Sequence, residues 1–224
     1  MTHRRLSRSA SRRVVAVVSP LVAAVVLALP STAAADSYSE PLRTAVEDLP
    51  VAGEVRTGYA RKLFPHWVDA DGDKCSTRNE VLLAEADDPP AVGADCKLTG
   101  GRWFSYYDGV SVNGPGGIDI DHMVPLAEAW DSGARTWTTA TRRLFANDLG
   151  DYRSLVGVTA SSNRSKGDRD PQDWLPEQRQ CRYVKQWVAV KHRWRLKVDS
   201  AEKATLTTLA AGCTNTTITV TLAR

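Results

Sequence analysis

Residues 118 to 125 read Ile118-Asp119-Ile120-Asp121-His122-Met123-Val124-Pro125, and this stretch decides how the rest of the chain is read. Side chains of a β-strand point alternately to opposite faces, so Ile118 and Ile120 share one face and Asp119 and Asp121 the other. The glycine- and proline-rich loop Asn113-Gly114-Pro115-Gly116-Gly117 precedes the strand and Pro125 ends it. Asp121 offers a hard oxygen for a divalent cation, and the adjacent His122 offers an imidazole that can take a proton from water. About forty positions later comes Ser162-Asn163-Arg164-Ser165-Lys166-Gly167-Asp168, where the carboxamide of Asn163 supplies a second oxygen ligand if the chain folds back.

Working outward, Leu126 to Ala134 and Thr138 to Phe145 read as short helices. Tyr152 to Val158 is apolar and β-branched enough for a second strand, and Ser161 or Ser162 caps a short helix beginning near Asn163. Upstream, residues 36 to 50 carry a short helical pattern. Residues 55 to 110 hold an aromatic stretch, a helix expected at Arg78 to Ala86 and a strand at Trp103 to Tyr107. Downstream, apolar residues recur at helical spacing from Glu177 to Val198, with Arg179, Arg182, Lys185, Lys191, Arg193 and Arg195 around the rest as a solvated basic face, the alternative being a ridge that tracks DNA. Asp199-Ser200-Ala201-Glu202 opens a further helix that stops near Gly212.

The first 35 residues have the order of a secretory signal: five arginines (Arg4, Arg5, Arg8, Arg12, Arg13), an apolar run from Val14 to Leu29, and Ala33-Ala34-Ala35 as a cleavage region. Ser11-Arg12-Arg13-Val14-Val15 also resembles a twin-arginine signal. The apolar run falls short of the roughly 20 residues a spanning helix needs, so the mature form, about 36 to 224, is expected to be secreted with no membrane contact. Removing this segment takes five of the 29 Lys and Arg and none of the 26 Asp and Glu, leaving 24 against 26 and a formal charge of −2. A generally basic nucleic-acid binder is therefore excluded, and a polyanion has to be met by a local patch. The remaining chain is long enough for one well-buried domain. Cys75, Cys96, Cys181 and Cys213 are too widely spaced for a zinc knuckle and point to two disulfides. Three pairings are open. Cys75 with Cys96 and Cys181 with Cys213 are preferred, because each closes a local loop on its own side of the Asp-His segment.

Asp119-Ile120-Asp121-His122-Met123-Val124-Pro125 together with Asn163-Arg164-Ser165-Lys166 resembles the HNH, or ββα-metal, nucleases, including the HNH domain of RNA-guided CRISPR nucleases. The longer string from Asp121 to Ala134 (DHMVPLAEAWDSGA) is more similar still to secreted bacterial HNH endonucleases, which are related to the nuclease domain of modification-dependent restriction enzymes. The resemblance implies an α+β fold: a ββα-metal core over about 117 to 175, embedded in a mostly helical, disulfide-stapled single domain. It implies His122 as general base, Asp121 and Asn163 as holders of one divalent cation, and Lys166 as a basic residue near the phosphate. Arg164 and Arg169, with Arg142 and Arg143 as further candidates, are expected to contact backbone phosphates. Asp119 is either a residue that orients the ligands or a solvated strand residue. The family usually has an asparagine where this chain has Ser154. Ser154 is expected to help orient His122 through its hydroxyl, with a shorter reach.

Oxygen and amide ligands suit Mg²⁺ first and Mn²⁺ second. The expected substrate is nucleic acid, with DNA preferred over RNA, and the oligomeric state is open. Two rival readings are a hydrolase of peptide or glycan, which does not need Asn163, and a catalytically impaired nuclease relative that binds nucleic acid or another polyanion outside the cell. Among the remaining motifs, Asp69-Ala70-Asp71-Gly72-Asp73 with Glu80 has the spacing of a calcium loop. Lys74 and Ser76 depart from that pattern, and a solvated acidic turn stapled by Cys75 is the preferred reading. His66, His192, Glu128, Trp130 and Trp174 are read as structural.

Overall fold

The computed structural model describes Met1 and residues 36 to 223, and residues 36 to 223 belong to one folded unit. The expected signal lies outside the described residues. In chain order the elements are β1 Ser37–Pro41, α1 Leu42–Asp48, α2 Thr77–Glu85, β2 Ala91–Val92, β3 Leu98–Thr99, β4 Arg102–Ser105, β5 Val110–Asn113, β6 Ile118–His122, α3 Leu126–Asp131, α4 Thr139–Ala146, β7 Leu155–Thr159, α5 Ala160–Lys166, α6 Gln180–Arg193, α7 Ser200–Ala211 and β8 Thr217–Thr221. Short 3₁₀ turns, such as Arg61–Leu63, join some of them. The fold is α+β, and its strands pair two by two in antiparallel ladders: β1 with β8, β2 with β3, β4 with β5 and β6 with β7.

The β6–β7 pair carries the chemistry. Its register sets Ile120 opposite Gly157, Asp121 opposite Val156 and His122 opposite Leu155. Ile118 and Ile120 drop into a core with Val81, Leu82, Trp103 and Leu155, and this burial pins the alternation that turns Asp119 and Asp121 to the other face. At Gly157 a Cβ would fall 2.8 Å from Oε2 of Glu85, so the α2 carboxylate occupies the space that any larger residue needs. Thr159 ends β7 and caps α5 by accepting the N–H of Ser162, which places the helix start three residues earlier than the serine caps imply.

The larger core is built on α6, whose Tyr183, Val184, Trp187, Val188 and Val190 are buried with Leu42, Val46, Val156, Val158 and Leu206. The basic side chains on this helix are not all solvated. Lys191 is fully buried and bonds Glu128 of α3 at 2.6 Å, Ser132 at 2.7 Å and Glu202 of α7 at 3.1 Å. Arg193 forms two 2.7 Å bonds with Asp148. Each polar group satisfies another, which lets charge sit in the interior. Asp199 caps α7 by accepting the N–H groups of Ala201 and Glu202. Cys75 pairs with Cys96 and Cys181 with Cys213, with Cα–Cα distances of 5.1 and 5.6 Å. The acidic turn is exposed, and the carboxylates of Asp69 and Asp73 accept backbone N–H groups of Gly72, Lys74 and Cys75. Among the described residues no helix is long and apolar enough to cross a membrane.

Candidate active site

Asp121, His122 and Asn163 line one cavity of about 210 Å³, together with Arg61, Ile120, Pro125, Leu126, Arg164, Gly167 and Asp168. Two residues come from the end of β6 and one from α5, so the β6–β7–α5 path folds the carboxamide back onto the Asp-His pair.

Asp121 is buried and held through one oxygen. Its Oδ2 accepts from the Tyr107 hydroxyl at 2.6 Å and from Lys166 Nζ at 2.5 Å. Lys166 Nζ also donates to the carbonyls of His122 and Met123, at 2.9 Å each. An ammonium has three protons, and all three are committed. Burial pushes the Asp121 carboxyl up and the Lys166 ammonium down, while their contact pulls both back toward the charged pair. Asp121 Oδ1 has no hydrogen bond among the described residues, and Asp121 is one of the residues that line the cavity.

His122 Nε2 lies 2.9 Å from the carbonyl of Ala146, at the end of α4. A carbonyl only accepts, so Nε2 carries the hydrogen and Nδ1 keeps its lone pair. Burial lowers the imidazole pKa to about 3; the Ala146 carbonyl works against that shift, and the nearby charges of Arg61, His66 and Lys166 add to it. The ring is therefore neutral across the physiological range. Trp67 packs over it with ring centroids 5.2 Å apart, and His66 lies 6.4 Å away.

Asn163 Nδ2 donates to Asp119 Oδ2 at 3.2 Å. That bond fixes which end of the amide is which, and Asn163 Oδ1 is left without a hydrogen bond among the described residues. Asp119 thus orients Asn163, and Arg164 stands beside the same carboxylate at 3.8 Å. A carboxyl and a carboxamide, each with one oxygen that has no hydrogen bond among the described residues, line one cavity beside a neutral imidazole, and oxygen donors of this kind suit a magnesium-type ion.

The structure corrects several expectations. Lys166 is 0% exposed and bound to Asp121, so it cannot reach a phosphate. Ser154 makes no hydrogen bond to the His122 imidazole. Its hydroxyl donates to Asp148 at 2.7 Å, and the imidazole is held by a carbonyl from another element. Arg142 is buried and donates to the carbonyls of Leu63 and Trp137, so it is structural. Arg169 and Arg143 are exposed but do not line the cavity, and Arg169 Nε is bonded to the Lys166 carbonyl at 3.1 Å. His66, set aside as structural, stands beside the imidazole.

Sequence reasoning missed Arg61, Trp67, Tyr107 and the Ala146 carbonyl. Arg61 and Trp67 lie more than fifty positions before His122 in an aromatic stretch that reads as core. A backbone carbonyl carries no residue-type signal at all. Tyr107 was legible only as the end of an expected strand.

Residues 76–209 match the family described as GmrSD restriction endonucleases, C-terminal domain. The matched segment spans more than half of the chain and contains the Asp-His strand, the second strand and Asn163. The chain belongs to this family. An uncharacterised secreted protein of the fungus Arthroderma benhamiae is 43% identical over 158 residues, which is 70% of this chain and 76% of the relative. No solved structure matches significantly. This family member is thus a nuclease-related, secreted protein, consistent with two disulfides of the kind that persist in oxidising compartments.

Proposed function

We propose that the protein is a secreted, metal-dependent endonuclease of the HNH type. In this reading His122 is the general base, one divalent cation (Mg²⁺, with Mn²⁺ as alternative) is held by Asp121 Oδ1 and Asn163 Oδ1, and DNA is the preferred substrate. The observation that supports it is the His122–Ala146 bond: it leaves Nδ1 of a neutral imidazole without a hydrogen bond, on a residue that lines the same cavity as Asp121 and Asn163.

Water attacking a phosphodiester loses a proton, and in this reading Nδ1 of His122 receives it. Nε2 shares its hydrogen with the Ala146 carbonyl, which disperses the positive charge that the ring acquires. Tyr107 and Lys166 favour the carboxylate form of Asp121 and fix its direction, and Asp119 fixes the direction of the Asn163 amide. When bound, the cation supplies charge neutralisation on the phosphate and on the departing oxygen. A signal over residues 1 to 35, cleaved near Ala35, completes the reading.

The impaired-relative reading gains from Ser154 standing where the family usually has an asparagine, if that position orients His122. That support weakens once His122 is seen to be oriented without it. Nicking of supercoiled plasmid in Mg²⁺ tests the proposal. The wild type is expected to nick and to stop in chelator, and His122→Ala and Asn163→Ala are each expected to lose at least about 100-fold. Full nicking by Asn163→Ala would point to hydrolysis by another route, and binding without nicking by the wild type would favour the relic.

A further inference from the structure

The mature chain carries no net positive charge, so a polyanionic substrate needs local cations, and most cations around the cavity already have partners. Lys166 is held by Asp121. Arg56 pairs with Asp131 at 2.6 Å and with Asp168 at 3.7 Å. Arg142 is bonded to carbonyls. Arg164 lines the cavity, exposed and only loosely paired with Asp119. Arg61 also lines the cavity and is exposed, and its guanidinium has no hydrogen bond or ion pair among the described residues.

The backbone that carries Arg61 is firmly anchored. Phe64 N donates to the Arg61 carbonyl at 3.0 Å, and the Phe64 ring is fully buried. The Leu63 carbonyl accepts from Arg142 Nε at 3.0 Å, and the Phe64 carbonyl lies 2.8 Å from His66 Nδ1. A free guanidinium on a fixed turn, at the wall of the cavity that holds the candidate base, is suited to bidentate capture of phosphate oxygens.

We propose that Arg61 is a substrate-contacting residue, taking a backbone phosphate of the bound polynucleotide together with Arg164, in the role that the sequence assigned to Lys166. The inference rests on the nuclease reading of the site. It gives residues upstream of β6 a direct part in substrate binding, so the site is not confined to the strand-strand-helix segment.

The test compares the wild type with Arg61→Ala and Arg61→Lys in two measurements. Binding of a fluorescent double-stranded oligonucleotide is followed by anisotropy in chelator over a range of salt, and plasmid nicking is followed in Mg²⁺. For Arg61→Ala the slope of log K against log salt should become shallower by about 0.9, the value for one phosphate contact. Its kcat/KM should fall on the order of 100-fold. Arg61→Lys should restore the slope but only part of the rate, because a point charge lacks the planar fork. An Arg61→Ala protein with the wild-type slope and a kcat/KM within about twofold of wild type would overturn the proposal. Binding is read in chelator, so the slope judges Arg61 even if the wild type fails to nick; that failure would count against the nuclease reading alone.

Discussion

Arg164 and Lys166 stand two residues apart in one short helix, yet Arg164 is exposed at the cavity while Lys166 is buried against Asp121. Sequence reasoning treated them alike because both are cations next to Asn163, and a lysine stem can lead its ammonium to solvent or to an internal partner. The deciding partners, Asp121 and two strand-end carbonyls, come from residues more than forty positions away. Asp121, His122 and Asn163 were legible because their chemistry is local to a strand and a helix start, while the groups that orient them were not. Removing the Lys166 ammonium leaves Asp121 buried without its ion partner, a loss of about 3 to 5 kcal/mol. Lys166→Met is therefore expected to lower the thermal midpoint sharply, while the salt slope of DNA binding at a temperature where it is folded stays at the wild-type value. A slope shallower by about 0.9 would return Lys166 to the phosphate.

At the scale of elements, α2 and β7 meet through Glu85, whose Oε2 accepts the N–H of Gly157 at 2.5 Å. Burial raises the Glu85 pKa to about 7, and the Gly157 N–H and the charge of Arg182 only partly oppose it. The folded protein thus holds a proton that the unfolded chain releases near 4.5. Stability from this group is full below about pH 4.5, declines as the pH rises to about 7, and is absent above that. Glu85→Gln keeps the acceptor for Gly157 and removes the charge. It should match the wild type in urea denaturation at pH 4 and exceed it by roughly 1 to 3 kcal/mol at pH 8. Equal stability at pH 8 would show that Glu85 is not desolvated in solution. The strand β6 and the helices α3, α4 and α7 were readable to within a few residues from alternation, helical spacing and caps. The β1–β8 ladder was not, because its two strands lie about 180 positions apart and nothing in either segment names the other.

Across the whole molecule, an interior of charge holds the helices in place around the site. Lys191 ties α6 to α3 and α7 through Glu128 and Glu202; burial and the neighbouring Glu128 carboxylate push the Glu202 carboxyl up, against the pull of the Lys191 ammonium. Such a knot looks like a solvated basic face in the sequence, since only tertiary packing reveals which side of α6 is inward. The two disulfides and the expected signal fit a protein that works outside the cell, where stability has to come from the fold itself. The central claim is that Asp121 and Asn163 together hold the ion beside His122. Anomalous diffraction from crystals soaked in Mn²⁺ tests it most directly. The expected result is a peak bonded to both Asp121 Oδ1 and Asn163 Oδ1; a peak elsewhere, with none between these two oxygens, would contradict it.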